Sequence, residues 1–274
     1  MRTYEEKSRF FWALHERPGI FVIPNPWDVG TARALASVGF EALATTSLGL
    51  ANTFGRTHVS RAEVLANCRA VAAATDLPVH ADLENCYADE PRAAAEMIRL
   101  AAETGVVAGS IEDATGDPGM PIYDFNLSVE RVHAAVEMAH SLPGPFMLTA
   151  RAENFLRGSR DLDDTIRRLQ AYERAGADVL YAGATPDLAA VRAMTDALRK
   201  PLNVGLGGID ASVTVSELAA AGVKRVSTGG SMTRVAFTAI LRAARELKER
   251  GTATYLRDLV PSSTLWRAFA EHGG

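Results

Sequence analysis

Two cysteines, Cys68 and Cys86, are all that the 274 residues contain. The fold therefore cannot rest on a disulfide framework, and a reducing compartment is implied. No apolar run approaches the ~20 residues that a membrane-spanning helix requires. The opening Met-Arg-Thr-Tyr-Glu-Glu-Lys-Ser lacks the apolar stretch of a secretory leader. A soluble cytoplasmic protein with no membrane partner is expected. Charge of a single sign is missing too: 29 Lys and Arg stand against 33 Asp and Glu, a formal net charge of −4. Without a basic run or basic-aromatic interleaving, nucleic acid is not expected as a partner.

What is present is a large apolar fraction, 47% of the residues, enough for one sizeable core. Eight short β-type runs alternate with helical patterns, at 21–24, 42–46, 78–82, 107–112, 146–150, 178–182, 201–204 and 225–228. Such alternation implies parallel βαβ units with right-handed crossovers. Eight units in a chain of this length predict a single (β/α)₈ barrel over 1–274, with a doubly wound open sheet as the alternative. Ser60 and Glu63 have capping-box spacing. Gly39, Gly105, Gly176 and Gly222 each stand just before a strand, where a helix ends in the left-handed conformation. Two segments fall outside the barrel count. One is an amphipathic helix at 4–15 carrying Phe10, Phe11, Trp12 and Leu14. The other is a helical extension at 233–274 rich in large apolar residues, among them Leu241, Leu247, Tyr255, Leu259, Trp266 and Phe269.

In a barrel of this kind chemistry sits where strands end. The third strand runs into Asp82-Leu83-Glu84, the fourth into Glu112-Asp113 and the fifth into Arg151-Ala152-Glu153. Asp82 and Glu84, one residue apart, share a side if the chain stays extended. Carboxylates converging with Glu112 repel one another unless a cation lies between them, and Mg²⁺ suits an all-oxygen set. Arg151 offers a planar fork for a carboxylate or phosphoryl group. His80 and Cys86 lie nearby; a hydrogen-bonded core histidine and a silent thiol are the simpler readings. The glycine-rich stretches 205–208 and 228–231 follow the last two strands. They suit a phosphate cradle, or the backbone geometry of the turns alone. The segment from Ala114 to Phe125 lacks periodicity and is expected to act as a mobile lid.

Five segments together resemble the isocitrate lyase/phosphoenolpyruvate mutase superfamily. They are Asn25-Pro26-Trp27-Asp28, Ala44-Thr45-Thr46-Ser47-Leu48-Gly49, Pro78-Val79-His80-Ala81-Asp82-Leu83-Glu84, Gly109-Ser110-Ile111-Glu112-Asp113 and Thr149-Ala150-Arg151-Ala152-Glu153. The resemblance implies a barrel whose last helix swaps onto a partner barrel, giving a homodimer or homotetramer. It implies Mg²⁺, with Mn²⁺ possible, held by Asp82, Glu84 and Glu112. Thr46, Ser47, Leu48, Gly49, Arg151 and Asn203 are then the expected substrate-binding residues, with Arg151 and Glu112 as catalytic groups. The lyases of the family carry a Lys-Cys-Gly-His motif shortly after the Glu-Asp pair. The stretch 114–123 here has no lysine, histidine or cysteine, which argues against isocitrate or methylisocitrate cleavage. The resulting expectation is an enzyme that takes a small 2-oxo or 2-hydroxy carboxylate, oxaloacetate-like, through an enolate-like state. Phosphonopyruvate or phosphoenolpyruvate P–C chemistry and a non-catalytic binding protein are the alternatives.

Overall fold

A computed structural model describes residues 2–271; of the extension expected at 233–274, residues 272–274 lie outside it. Eight parallel strands appear where the sequence pattern put them: β1 (Phe21–Ile23), β2 (Leu43–Ala44), β3 (Val79–Ala81), β4 (Ala108–Glu112), β5 (Met147–Ala152), β6 (Val179–Ala182), β7 (Leu202–Gly205) and β8 (Arg225–Ser227). From β2 onward each strand pairs with the next in sequence, and β8 returns to pair with β1. The sheet is a (β/α)₈ barrel with one seam, between β1 and β2. A single backbone bond crosses it, from Ala44 N–H to the Pro24 carbonyl at 3.0 Å. Asn25 reinforces that seam. Its Nδ2 donates to Thr45 O at 2.9 Å, while its Oδ1 accepts from the Thr228 and Gly229 backbone at 2.9 and 2.8 Å. One side chain thus ties β1, β2 and β8 together.

The helices are α1 (Tyr4–Glu16), α2 (Val29–Ser37), α3 (Ser47–Thr53), α4 (Arg61–Ala73), α5 (Pro91–Ala102), α6 (Phe125–Ser141), α7 (Leu162–Arg174), α8 (Leu188–Ala197), α9 (Val215–Ala220), α10 (Ser231–Arg250) and α11 (Ser262–Glu271). The Ser60–Glu63 capping box forms as expected at the start of α4. The four pre-strand glycines adopt φ of 95°, 92°, 102° and 86° in chain order, the left-handed region that a side chain disfavours. The segment expected to be a lid is tied into a hairpin. An Ala114–Ile122 bridge closes it, and Asn85 Nδ2 donates to Thr115 O at 3.3 Å.

Helix α1 closes the bottom of the barrel. Phe11 and Leu14 pack with the strand-start residues Phe21, Val107, Met147 and Val179, each such burial contributing ~1.5–3 kcal/mol. His15 follows them in. Its Nδ1 lies 2.9 Å from the Phe11 carbonyl and its Nε2 3.3 Å from Arg225 Nη1. The first partner demands a donor and the second an acceptor, so the ring is the neutral Nδ1–H tautomer. Burial first, then Arg225, pushes its pKa down to about 3. The unfolded chain therefore binds a proton that the folded chain does not, and stability falls as pH drops below ~6.5. His80 contributes with the same sign. Between pH 6.5 and 4.5 His15 is expected to cost ~2–3 kcal/mol. Urea denaturation of wild type and His15→Gln at both pH values checks this, and equal pH slopes in the two proteins would remove His15 from the account.

Helix α10 behaves differently. Of its 20 residues only Thr233 is buried, while Val235, Ile240, Leu241 and Leu247 are 69%, 61%, 52% and 54% exposed. It leaves the barrel instead of covering it. Helix α11 folds back onto α2, burying Ala268 but leaving Trp266 68% exposed.

Candidate active site

The C-terminal ends of the strands surround a cavity of about 460 Å³. At its centre Arg151, from β5, meets three carboxylates. Nη1 lies 2.9 Å from Asp82 Oδ1, Nη2 3.0 Å from Glu112 Oε2, and Nε 2.7 Å from Glu153 Oε1. The register explains part of this: Glu112 and Arg151 are Cα partners on adjacent parallel strands. Arg157 adds a longer contact to Glu112, 3.7 Å.

Asp82 is also held from the β2 side. Its Oδ2 accepts the Ser47 N–H at 3.0 Å and the Ser47 hydroxyl at 2.9 Å. Glu84 stands beside it in a loop with unusual backbone: Glu84, Cys86 and Tyr87 have φ of 49°, 60° and 56°. Left-handed non-glycine residues cost ~1–3 kcal/mol each and concentrate at functional sites. Burial, then the Asp82 carboxylate, raises the pKa of Glu84. Burial raises that of Glu112 to about 8 against the opposing pull of Arg151. Glu153 is fully buried, is likewise pushed up by burial, and has an Oε2 with no hydrogen-bond partner. It fits because β6 is followed by Gly183, where a Cβ would come within 2.1 Å of that oxygen.

The expected residues thus converge in part. Asp82, Glu84, Glu112, Arg151, Thr46, Ser47, Leu48 and Asn203 all line the cavity. Gly49 lies outside that lining. Its N–H is taken by Thr46 Oγ1 at 3.2 Å, and a Cβ there would meet Thr46 and Thr233 at 2.5 and 2.7 Å. Asn203 sits deep, its Oδ1 accepting from Arg225 Nε at 2.8 Å and its Nδ2 donating to Ser227 Oγ at 3.0 Å. His80 is buried with Nε2 3.1 Å from Thr149 Oγ1, and its pKa is driven well down by burial. Cys86 is buried with its thiol pushed up to about 12, which makes it a poor nucleophile. Among the described residues no part of 114–125 lines the cavity, while Gly205, Gly207, Gly208 and 228–231 do.

Sequence reasoning missed several lining residues: His58, Arg157, Tyr181, Arg225 and Arg234. A signal existed for the deeper layer. Each strand from β3 to β8 carries a polar or aromatic residue before its end, at His80, Ser110, Thr149, Tyr181, Asn203 and Arg225, and all six line the cavity. Arg225 is 3% exposed. It donates to Asn203, Thr149 and His15, and among the described residues it has no carboxylate partner.

Comparison with known proteins identifies the relatives of this chain. The family model for phosphoenolpyruvate phosphomutase matches residues 11–248. A crystal structure from Burkholderia cenocepacia J2315, classed provisionally as a lyase/mutase, is 53% identical with a TM-score of 0.94, over 97% of this chain and 96% of that one. An uncharacterized Mycobacterium tuberculosis protein is 31% identical over 87% of this chain and 89% of its own. The 2-methylisocitrate lyase of Escherichia coli is 29% identical over 69% of this chain and 66% of its own. The chain belongs to the phosphoenolpyruvate mutase family and is an enzyme of the isocitrate lyase/phosphoenolpyruvate mutase superfamily.

Proposed function

We propose that this enzyme is Mg²⁺-dependent and takes a small 2-oxo or 2-hydroxy carboxylate through an enolate-like state. The C–C bond of an oxaloacetate-like substrate would break by lyase, hydrolase or decarboxylase action. The Arg151 cluster carries the reading. One guanidinium faces Asp82, Glu112 and Glu153 within 3.0 Å, and Glu84 adds a fourth acid to the same site. Ionised together, they leave excess negative charge away from water, which protons or a further cation must balance. Their donor atoms are all carboxylate oxygens, the set that Mg²⁺ or Mn²⁺ takes. Asp82, Glu84 and Glu112 would hold the ion partly through water, because among the described residues no three such side chains form a ready cage. When bound, the ion supplies Lewis-acid stabilisation of an enolate oxygen.

The chain's own groups do the remaining work. Arg151, kept in place by three acids, neutralises developing negative charge without having to reorganise. Thr46, Ser47 and Leu48, at the start of α3, hold a substrate carboxylate. Ser47 at the same time fixes Asp82, so carboxylate binding and the acid cluster share one anchor.

A panel of 2-oxo, 2-hydroxy and phosphono acids assayed with Mg²⁺ and with chelator tests the proposal. Chelator-sensitive turnover of a carboxylate is expected. Binding without turnover would instead point to a non-catalytic barrel. P–C bond chemistry is a second reading, favoured by Arg157, Arg234 and the glycine-rich turns that line the cavity. Turnover confined to the phosphono acids would select it. The enzyme is further proposed to work as a homodimer or homotetramer, through the uncovered face of α10.

A further inference from the structure

An enolate formed by bond cleavage must be protonated at carbon before product leaves. The 114–123 segment has no lysine, histidine or cysteine to supply that proton and stands outside the cavity lining. His80 is held neutral and hydrogen-bonded to Thr149. Tyr181 remains. It lines the cavity, and its hydroxyl makes no hydrogen bond among the described residues. The Arg151 Cζ lies 4.9 Å from its ring centroid. The neighbouring strand makes room for the phenol, since a Cβ on Gly205 would come within 2.6 Å of Oη. By register Tyr181 is level with Asn203, and Asn203 with Arg225. One cation is thus in contact with the ring of a free phenol, and a second, deeper cation without a carboxylate partner stands two strands away at the same level.

We propose that Tyr181 is the proton donor to the carbon left by bond cleavage. This deepens the carboxylate reading above and rests on it. For an oxaloacetate-like 3-carboxy-2-oxo acid, the bond from C3 to the leaving carboxylate breaks and CO₂ departs. The electron pair enters the C2–C3 enolate. The Tyr181 O–H bond then breaks as its proton forms the new C3–H bond, and the ketone is restored. The phenolate left behind is held by Arg151 against the opposing charge of Glu153, Asp82 and Glu112, and water reaching the cavity returns its proton. Burial holds the free phenol at about 12, so it stays loaded between turnovers. Arg225 acquires a role as well, because an unpaired buried cation is costly at rest and is balanced in part when a phenolate forms two strands away.

Tyr181→Phe keeps the ring and its contact with Arg151 but removes the proton. With an oxaloacetate-class substrate, kcat is expected to fall at least ~100-fold, with KM changed less than ~3-fold. In D₂O, with a substrate of this class that carries a methyl group at C3, wild type should place one deuterium at C3 stereospecifically, and the variant should lose that stereospecificity. Gly205→Ala, which displaces the hydroxyl and retains the phenol, should reproduce the kcat loss. Oxalate, an enolate mimic that needs no proton, should bind wild type and Tyr181→Phe equally in calorimetry with Mg²⁺. If wild type neither binds oxalate nor turns over a carboxylate, the underlying reading fails. If oxalate binds both proteins while Tyr181→Phe keeps wild-type kcat and stereospecific labelling, Tyr181 is not the donor.

Discussion

Arg151→Lys is expected to lower kcat/KM by roughly 100-fold, equivalent to ~2.7 kcal/mol of transition-state stabilisation. The charge is unchanged, so the loss is geometric. Three separate guanidinium nitrogens reach Asp82, Glu112 and Glu153 at 2.9, 3.0 and 2.7 Å. A lysine ammonium is a point charge on a flexible stem and cannot span all three acids. At least one bond to a charged group is lost, each worth ~1.5–3 kcal/mol. The orientation of Asp82 and Glu112 goes with it. Arg151→Met goes further and leaves Glu112 and Glu153 buried beside one another with only the longer Arg157 contact to Glu112. Its stability should drop by ~3–5 kcal/mol, the usual cost of breaking a buried pair from one side. Steady-state kinetics and urea titration read the two variants. An unchanged kcat/KM in Arg151→Lys would place the guanidinium outside the reaction.

Light scattering of the full chain at micromolar concentration is expected to report a dimer or tetramer, not a 29.3 kDa monomer. Helix α10 leaves Val235, Phe237, Ile240, Leu241 and Leu247 at 41–69% exposure. Phe237, Ile240, Leu241 and Leu247 share one side of the helix, with Val235 opposite them, and such an exposed apolar face is rare on a free monomer. Burying such side chains gives ~1.5–3 kcal/mol each. Replacing Phe237 and Ile240 together by glutamate should therefore weaken association at least ~100-fold. The barrel's circular dichroism should be unchanged, because neither side chain packs on it. A monomeric wild type would leave α10 as a free-standing arm and remove assembly from the account.

Much of this was legible in the sequence. Parallel strands buried on both faces read as short apolar runs, and glycines at 39, 105, 176 and 222 punctuate them, so strand number and order followed directly. The acids and Arg151 were legible because they stand at strand ends, where polar residues interrupt apolar runs. The third acid on Arg151 was not assigned, although Glu153 follows Arg151 by two. Its fit depends on the missing side chain at Gly183, on a different strand end. The lumen layer was hidden for a related reason. Which residues of a doubly buried strand face inward is set by barrel tilt and stagger, and no contrast between polar and apolar faces reports it. The Ala114–Phe125 segment lacked periodicity because its order comes from side chains bonding back to its own backbone. Thr115 Oγ1 bonds the Met120 carbonyl, and Gly119 N–H bonds Asp117 Oδ1.

Asn25 bears on the mouth of the cavity more than on its chemistry. Elsewhere the spacing of adjacent loops follows from the regular separation of paired strands. Between β1 and β2 only one backbone bond does that work, so the carboxamide of Asn25 acts as the gauge of the gap. Its nitrogen ends at Thr45, just before Thr46 and Ser47. Its oxygen ends at Thr228 and Gly229, just before Ser231 and α10. The Ser47 wall that steadies Asp82 and the root of the outward-reaching helix are therefore set from opposite ends of the same amide. An aspartate at this position could accept from the two backbone donors but could not supply the Nδ2 proton to Thr45, and the two walls would lose their common ruler.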